Sequence, residues 1–316
     1  MLKEKNGFLG KREAKFVSGL GKYSLKDTLE CGQCFRYEKV RDDGEYIEYV
    51  ILTGDTLIDV AQREKGELIF FDTSEETFKN VTVPFFTLTT DYEVIKEDIV
   101  KRTDSEWLKA AAEAGEGIAI LKQEPFEALI SFIISQNNNI PRIRKMIKKL
   151  CIEYGVNISL QNGVKKCPLS ADNTPPCEEK CKECGVCYTF PTAKALAQRP
   201  EGMLKANPGF RYKYLCDAVE KIDTGAVRLD MIAAARSYEY TKSRLMEICG
   251  VGEKVASCVA LFGFGNLEAF PIDVWMKRAI DEYFGGSLDY ESLGRYRGIA
   301  QQYIFHYIRN IEKKEN

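Results

Sequence analysis

The hydrophobic period of this chain changes once, near residue 91, and that change limits the folds open to it. Before it, segments 34–41, 45–53, 56–61 and 67–72 are short and rich in Tyr, Ile, Val and Phe. They are divided by the turn-formers Asp42-Asp43-Gly44 and Gly54-Asp55, so their spacing predicts an antiparallel sheet. Beyond it, apolar residues recur at helical intervals and predict helices over 91–102, 105–114, 125–136, 141–154, 192–197, 212–222, 274–283 and 299–311. Strands followed by helices make an α+β chain, with an N-terminal antiparallel sheet domain over residues 1–104 and a mainly helical region over 105–316.

Within the helical region one stretch, LMEICGVGEKVASCVALF, breaks at a tight turn, Cys249-Gly250-Val251-Gly252. Tyr240, Leu245, Met246 and Ile248 lie at helical spacing before the turn, and Val255, Ala256, Val259, Ala260 and Phe262 repeat the pattern after it. Two short helices with a glycine hairpin between them are expected over about 238–262. Gly250 and Gly252 are expected to supply positive φ and to admit a close partner, while the second helix opens with unpaired N–H groups and the positive end of its dipole. A phosphate suits such a turn, although the same turn also serves as an ordinary packing corner. Lys254 and Asp273 separate the two readings. Lys254 falls in the first turn of the second helix, where a cation opposes the dipole and a neutral, nucleophilic amine is favoured. Asp273 follows Pro271 in a run that reads as a buried loop entering a helix, so it is an N-cap, a carboxylate aimed into a cleft, or both.

At 316 residues, 45% hydrophobic and 29% charged, the chain has room for two or three packed units. A net charge of −2 and a pI near 5.8 argue against a wholly basic surface, so contact with a polyanion needs a local patch. Arg142, Arg144, Lys145, Lys148 and Lys149 crowd one short helix, and Arg211 and Lys213 flank an expected loop; such runs also occur as plain solvated faces. No segment reaches transmembrane length, and the start, MLKEKNGFLGKREAKF, lacks the apolar run of a secretory signal. Cytoplasmic, nucleoid-associated residence is the expectation. Eleven cysteines without a secretion signal point to thiols and metal ligands rather than disulfides.

The hairpin, Lys254 and Asp273 resemble the helix-hairpin-helix DNA glycosylase superfamily. Five further stretches resemble its 8-oxoguanine DNA glycosylase/AP lyase branch, of bacterial type: LECGQCFRY (29–37), EPFEALISFIISQNNNIPRI (124–143), NPGFRYKY (207–214), FPIDVWMKR (270–278) and GIAQQYIFHYIR (298–309). They run in order along nearly the whole chain. The resemblance implies a sheet domain followed by two helical subdomains, with a DNA cleft between those two. It further implies a monomer acting on double-stranded DNA that contains oxidised guanine, with no cofactor for catalysis. The implied reaction is excision of 8-oxoguanine opposite cytosine by base flipping, a lysine Schiff base and β-elimination.

Carried onto this chain, the resemblance makes Lys254 the nucleophile and Asp273 the carboxylate that stabilises the developing positive sugar. Cys258 and Phe305 would sandwich the flipped base, Gln301 would bond its edge, and the Gly32 carbonyl would accept from N7–H, a hydrogen that guanine lacks. Asn137 would fill the space left in the duplex, Arg142 and Arg211 would read the orphaned cytosine, and Phe210 would act as the wedge. Gly250, Gly252 and Trp275 would face the phosphate backbone. The residues by themselves leave other readings open: Asn137-Asn138-Asn139 as a helix-ending turn, and Phe305 and Cys258 as core. Trp275 stands where some relatives carry a phosphate-contacting His, Phe210 where some carry Tyr, and Cys249 where Pro is common, the last expected to loosen the turn. The competing functions are a glycosylase for other damaged bases and a non-catalytic helix-hairpin-helix DNA-binding protein.

One insertion departs from the family pattern, CPLSADNTPPCEEKCKECGVC (167–187). Cys177, Cys181, Cys184 and Cys187 are separated by three, two and two residues, with Cys167 just upstream. Four thiolates this close in a polar segment point to a structural metal, zinc or alternatively a four-iron cluster.

Overall fold

The computed structural model describes residues 2–9, 12–158 and 187–315. Six strands form one antiparallel sheet in the order β1-β2-β6-β5-β4-β3: β1 Lys3–Leu9, β2 Arg12–Ser18, β3 Tyr37–Asp42, β4 Ile47–Thr53, β5 Thr56–Gln62 and β6 Leu68–Phe71. The last four are the strands that the alternating pattern predicts. β1 and β2 escape it because an edge hairpin reading KEKNGFL and REAKFVS carries charges at most outward positions.

Period-2 alternation gives the sheet two different faces. On one, Val17, Tyr49, Ile51, Val60, Leu68 and Phe70 pack on Leu25 and Leu29 of helix α1 (Leu25–Glu30) and on Phe78 and Phe86. The other face carries a smaller cluster, Ala14, Ala61, Ile69 and Phe71, under the Arg12 guanidinium, which lies 3.6 Å from the Phe71 ring centroid. Arg12 also pairs with buried Glu48 at 2.6 Å and with Asp59, which is how a carboxylate survives in β4.

The helical part comprises α2 Tyr92–Lys101, α3 Glu106–Ala114, α4 Pro125–Ser135, α5 Ile140–Tyr154, α6 Ala193–Gln198, α7 Tyr212–Asp223, α8 Leu229–Ala235, α9 Tyr238–Leu245, α10 Glu253–Phe262, α11 Val274–Tyr283 and α12 Arg297–Glu315. Several starts are set by side-chain caps: Asp91, Ser105, Thr192, Ser237 and Asp273 each accept an N–H of the first turn. α4 is buried on nearly every side, from Phe126 through Ile134, and forms the axis of the main core. α2 lies on the sheet side of residue 104 in sequence, yet Ile95 and Ile99 sit in this helical core.

Two ties bring the sheet against the helices. Arg36, just before β3, pairs with buried Glu127 of α4 at 2.9 Å and donates to the Tyr188 carbonyl at 2.6 Å. Buried amides make the second tie. Gln33 bonds the carbonyls of Thr28 and Ala119 and the N–H of Leu121, and Gln123 donates to the Gln33 carbonyl at 2.7 Å. The N–H of Gln123 reaches the carbonyl of Phe262, the last residue of α10, at 2.8 Å. The Cys31-Gly32-Gln33 loop is thereby fixed to the helix that carries Lys254.

Among the cysteines of the insertion, Cys167, Cys177, Cys181 and Cys184 lie outside the described residues. Cys187 is buried, and its carbonyl accepts from Ile158 at 2.9 Å. No helix among the described residues is long and apolar enough to cross a membrane.

Candidate active site

The hairpin forms as the glycine spacing predicts, but its two glycines do different things. Gly250 has φ +79°, and a Cβ there would lie 2.3 Å from the Tyr214 ring, so both conformation and packing demand glycine. Gly252 is extended, with φ −91° and ψ −177°, and a Cβ there would meet nothing within 4 Å. The expected positive φ at Gly252 is therefore absent; what this glycine leaves is open space over the start of α10, which has no side-chain cap. The first N–H groups of such a helix lack intrahelical partners, and an anion suits them.

Cys249 ties the turn to a neighbouring helix. Its N–H, which a proline would lack, donates to Asp217 on α7 at 2.6 Å, and Asp217 is held by Lys221 at 2.9 Å.

Lys254 and Asp273 meet at a cavity of about 60 Å³ lined also by Gly32, Cys258, Gln301 and Phe305. The sequence places these six residues on four elements; the fold brings them to one wall-to-wall slot. Cys31, Phe132, Pro271 and Gln302 complete much of the lining. Cys258, Gln301 and Gln302 are buried and form the floor, whereas Lys254, Asp273, Gly32 and Phe305 are half-buried at the mouth.

The mouth is arranged around the amine. Lys254 Nζ stands 5.5 Å above the Phe132 ring centroid, and Phe132 is stacked on Phe262. Asp273 is both things that its sequence position allows. Its Oδ1 caps α11 by accepting from Met276 N at 2.9 Å, and the same side chain lines the cavity. Burial pushes the Cys258 thiol up from its ordinary value, opposed by the neighbouring Lys254. A neutral thiol on the floor is a soft apolar surface suited to a planar ring. Phe305 carries the Arg309 guanidinium 5.2 Å from its ring centroid.

A second group of expected residues lies on the turn between α4 and α5 and just ahead of α7, two segments that Arg211 ties together. Asn137 ends the α4 turn in left-handed conformation, φ +48°, with its side chain exposed. Its neighbours are structural: Asn138 donates to the Ile134 carbonyl at 3.1 Å, and Asn139 caps α5 by accepting from Arg142 N at 3.0 Å. The triple asparagine thus leaves Asn137 free of local duty.

Arg211 lies directly behind the Asn137 turn. It is buried, and its guanidinium donates to the carbonyls of Gln136 at 2.8 Å, Asn137 at 2.9 Å and Pro208 at 3.2 Å. It clamps the Asn137 turn from behind. Its pKa is lowered, first by burial and then by the like charge of Arg142. Phe210 is 52% exposed and meets Tyr214 edge-on at 6.1 Å, and Tyr214 in turn fills the space that Gly250 leaves. Tyr214 therefore links wedge and hairpin, a role not visible from its place in NPGFRYKY.

Other expected contacts are divided. Arg142 is exposed, whereas Arg144 is spent on the Tyr37 carbonyl and Glu38, and Lys149 on the Lys205 carbonyl. Trp275 is half-buried in the first turn of α11 and packs on the helical core.

A glycine hairpin feeding an amine and a carboxylate into a narrow slot, beside an exposed amide, arginine and aromatic, has the layout of a base-extruding DNA glycosylase. Comparison with known proteins agrees. Residues 16–129 match the model of the 8-oxoguanine DNA glycosylase N-terminal domain. The structure of a Clostridium acetobutylicum 8-oxoguanine glycosylase/lyase, bound to double-stranded DNA with cytosine opposite 8-oxoguanine, superposes with a TM-score of 0.79. It is 31% identical, over 99% of this chain and 98% of that one. MBOgg1, in complex with a low-affinity DNA ligand, gives a TM-score of 0.80 and 34% identity over 98% of this chain and 99% of that one. The N-glycosylase/DNA lyase of Saccharomyces cerevisiae is 28% identical over 273 residues, 80% of this chain; the chain spans 66% of that relative's length. The chain belongs to the 8-oxoguanine DNA glycosylase family.

Proposed function

We propose that the protein is a bifunctional DNA glycosylase and lyase that removes 8-oxoguanine opposite cytosine from duplex DNA. The observation that carries this reading is the single cavity shared by Lys254, Asp273, Gly32, Cys258, Gln301 and Phe305. Amine, carboxylate, amide edge and two ring-facing walls are what extrusion and attack on one nucleoside require.

The flipped sugar enters past the half-buried mouth, and its base lies between Cys258 and Phe305. Lys254 Nζ bonds to C1′ while the C1′–N9 bond breaks, and the electron pair leaves with the base. Asp273, fixed by its cap to α11, offsets the positive charge that develops on the sugar. Sugar opening moves a proton from the lysine nitrogen to O4′ and gives a Schiff base on Lys254; the released base, which left with its electron pair, takes the C2′ proton, and the 3′ phosphate departs, nicking the strand. Gly32, held by Gln33 and Gln123, supplies the acceptor for N7–H that guanine does not have. Along the edge, Asn137 enters the vacated stack, Phe210 wedges the adjacent step, and Arg142 reads the orphaned base. Arg211 serves by holding the Asn137 turn in place. Gly250 and Gly252 present the start of α10 to a phosphate.

The four clustered cysteines carry a separate proposal that rests on spacing: Cys177, Cys181, Cys184 and Cys187 hold a structural metal, which elemental analysis of the purified protein tests.

A lesion panel tests the main reading. Duplexes with 8-oxoguanine, alkylated purines, uracil or mismatches, each with the four opposite bases, are assayed for base release and for nicking. Fastest release of 8-oxoguanine opposite cytosine, with nicking, is expected; binding without release from any duplex contradicts it.

A further inference from the structure

Six buried side-chain polar atoms among the described residues have no hydrogen-bond partner, and one of them, Gln302 Oε1, belongs to a residue that lines the cavity. Gln302 is 96% buried, at 4% exposure, and its Nε2 donates to Gln301 Oε1 at 2.6 Å. Two consequences follow from amide chemistry. The Gln301 carboxamide is oriented with its oxygen toward Gln302, so its own NH2 is free to donate. The oxygen of Gln302 is an acceptor sealed from water, and a sealed acceptor without a donor is costly unless a ligand brings one.

We infer that Gln302 is a specificity-determining residue for the base, working as a pair with Gln301, an inference that rests on the reading of the cavity as the lesion pocket. The Watson–Crick edge of 8-oxoguanine offers O6, which accepts, beside N1–H and N2–H, which donate. Gln301 Nε2 donates to O6 while the second lone pair of its Oε1 accepts N1–H, and Gln302 Oε1 takes N2–H. The pair thus reads one acceptor and two donors. An adenine-type edge presents the reverse, a donor at position 6 and an acceptor at N1, and would leave both glutamines opposed. The Gly32 carbonyl reads oxidation at C8 and cannot tell 8-oxoguanine from 8-oxoadenine, since both carry N7–H. The glutamine pair supplies that distinction. Consecutive side chains on a helix diverge by about 100°, so both reach one slot only because α12 is sunk to its floor there.

Single-turnover base release is compared for 8-oxoguanine, 8-oxohypoxanthine, which lacks only the N2 amine, and 8-oxoadenine, in wild-type protein and in Gln302→Met, whose thermal midpoint is checked. Wild type is expected to release 8-oxohypoxanthine about tenfold more slowly than 8-oxoguanine, because one buried acceptor goes unmet, and 8-oxoadenine more slowly still. In Gln302→Met, 8-oxoguanine release falls to the level of 8-oxohypoxanthine and the difference between them closes. A residue that merely supports the fold would slow all three alike, and that result, or no change, overturns the inference. Should Gln302→Met not fold, wild-type rates decide: equal release of 8-oxoguanine and 8-oxohypoxanthine overturns it. Wild-type protein that binds the duplex and releases no 8-oxoguanine defeats the proposed function instead, so the two failures are distinct.

Discussion

Along the floor of the cavity, Cys258, Gln301 and Gln302 are buried and the neighbouring Gly32 loop is tied down by Gln33 and Gln123, whereas at the edge Asn137, Arg142 and Phe210 stand out into solvent. The floor is fixed before any ligand arrives. At the edge only the backbone is fixed, by the Arg211 clamp and the Asn139 cap, and the side chains keep their freedom. This difference suits two recognition problems. A lesion that differs from guanine by very few atoms needs groups that do not relax toward the wrong base. A duplex of arbitrary sequence needs side chains that adapt.

Short of removing the nucleophile itself, the largest effect is expected where the two regions meet, at Asp273. Asp273→Asn keeps a good helix cap but removes the charge, so base release should slow by roughly a hundredfold with little change in thermal midpoint. Asp273→Ala should add about 1 kcal/mol of destabilisation through the lost cap. Equal destabilisation by both, with release unaffected, would place Asp273 in the fold alone.

The hairpin glycines sharpen the comparison within one turn. Gly250→Ala forces a Cβ into the Tyr214 ring at positive φ and should cost roughly 2–4 kcal/mol of stability. Gly252→Ala meets open space and should leave the thermal midpoint nearly unchanged while weakening duplex binding by about tenfold at low salt. The opposite ranking would mean that the hairpin packs but does not dock.

Phe210→Ala probes the edge. It should leave stability within about 0.5 kcal/mol, because the ring is half exposed, and should reduce extrusion of the base by several-fold, read by fluorescence of 2-aminopurine beside the lesion.

The smallest effect at neutral pH belongs to the buried thiols. Burial pushes Cys31 up to about 11, and Cys34 and Cys151 up to about 12. With folded values above the unfolded value near 9, the folded chain holds protons that the unfolded chain has lost, so this contribution is complete below pH 9. It is lost between pH 9 and about 11 to 12, by about 1.4 kcal/mol per pH unit per thiol. Thermal midpoints should be flat from pH 7 to 8.5 and fall above 9, less steeply in Cys34→Ala.

Most helices were legible because their apolar spacing and caps agree, as at Ser105, Asn139 and Asp273. The β1–β2 hairpin was not, since the charges of an edge strand hide its period, and neither was α1, whose six residues are too short to show one. Lys254, Asp273 and the hairpin could be read from spacing together with resemblance. Gln33 and Gln123 could not, because a glutamine in an apolar run signals its role only through partners distant in sequence, 86 residues from Gln33 to Ala119; Gln302 could not, because the burial of its unpartnered oxygen shows only in the fold. Arg211 carries a contact that residue type alone does not show: beside the expected base contact, its guanidinium bonds the backbone carbonyls of Gln136, Asn137 and Pro208.

The most direct measurement is borohydride trapping on a duplex carrying 8-oxoguanine opposite cytosine, comparing wild-type protein with Lys254→Gln. Wild type should form a covalent protein–DNA complex, and the variant, still folded and still binding the duplex, should trap slower by on the order of a thousandfold or more. Trapping of Lys254→Gln at the wild-type rate would contradict the assignment of the nucleophile and the cavity built around it.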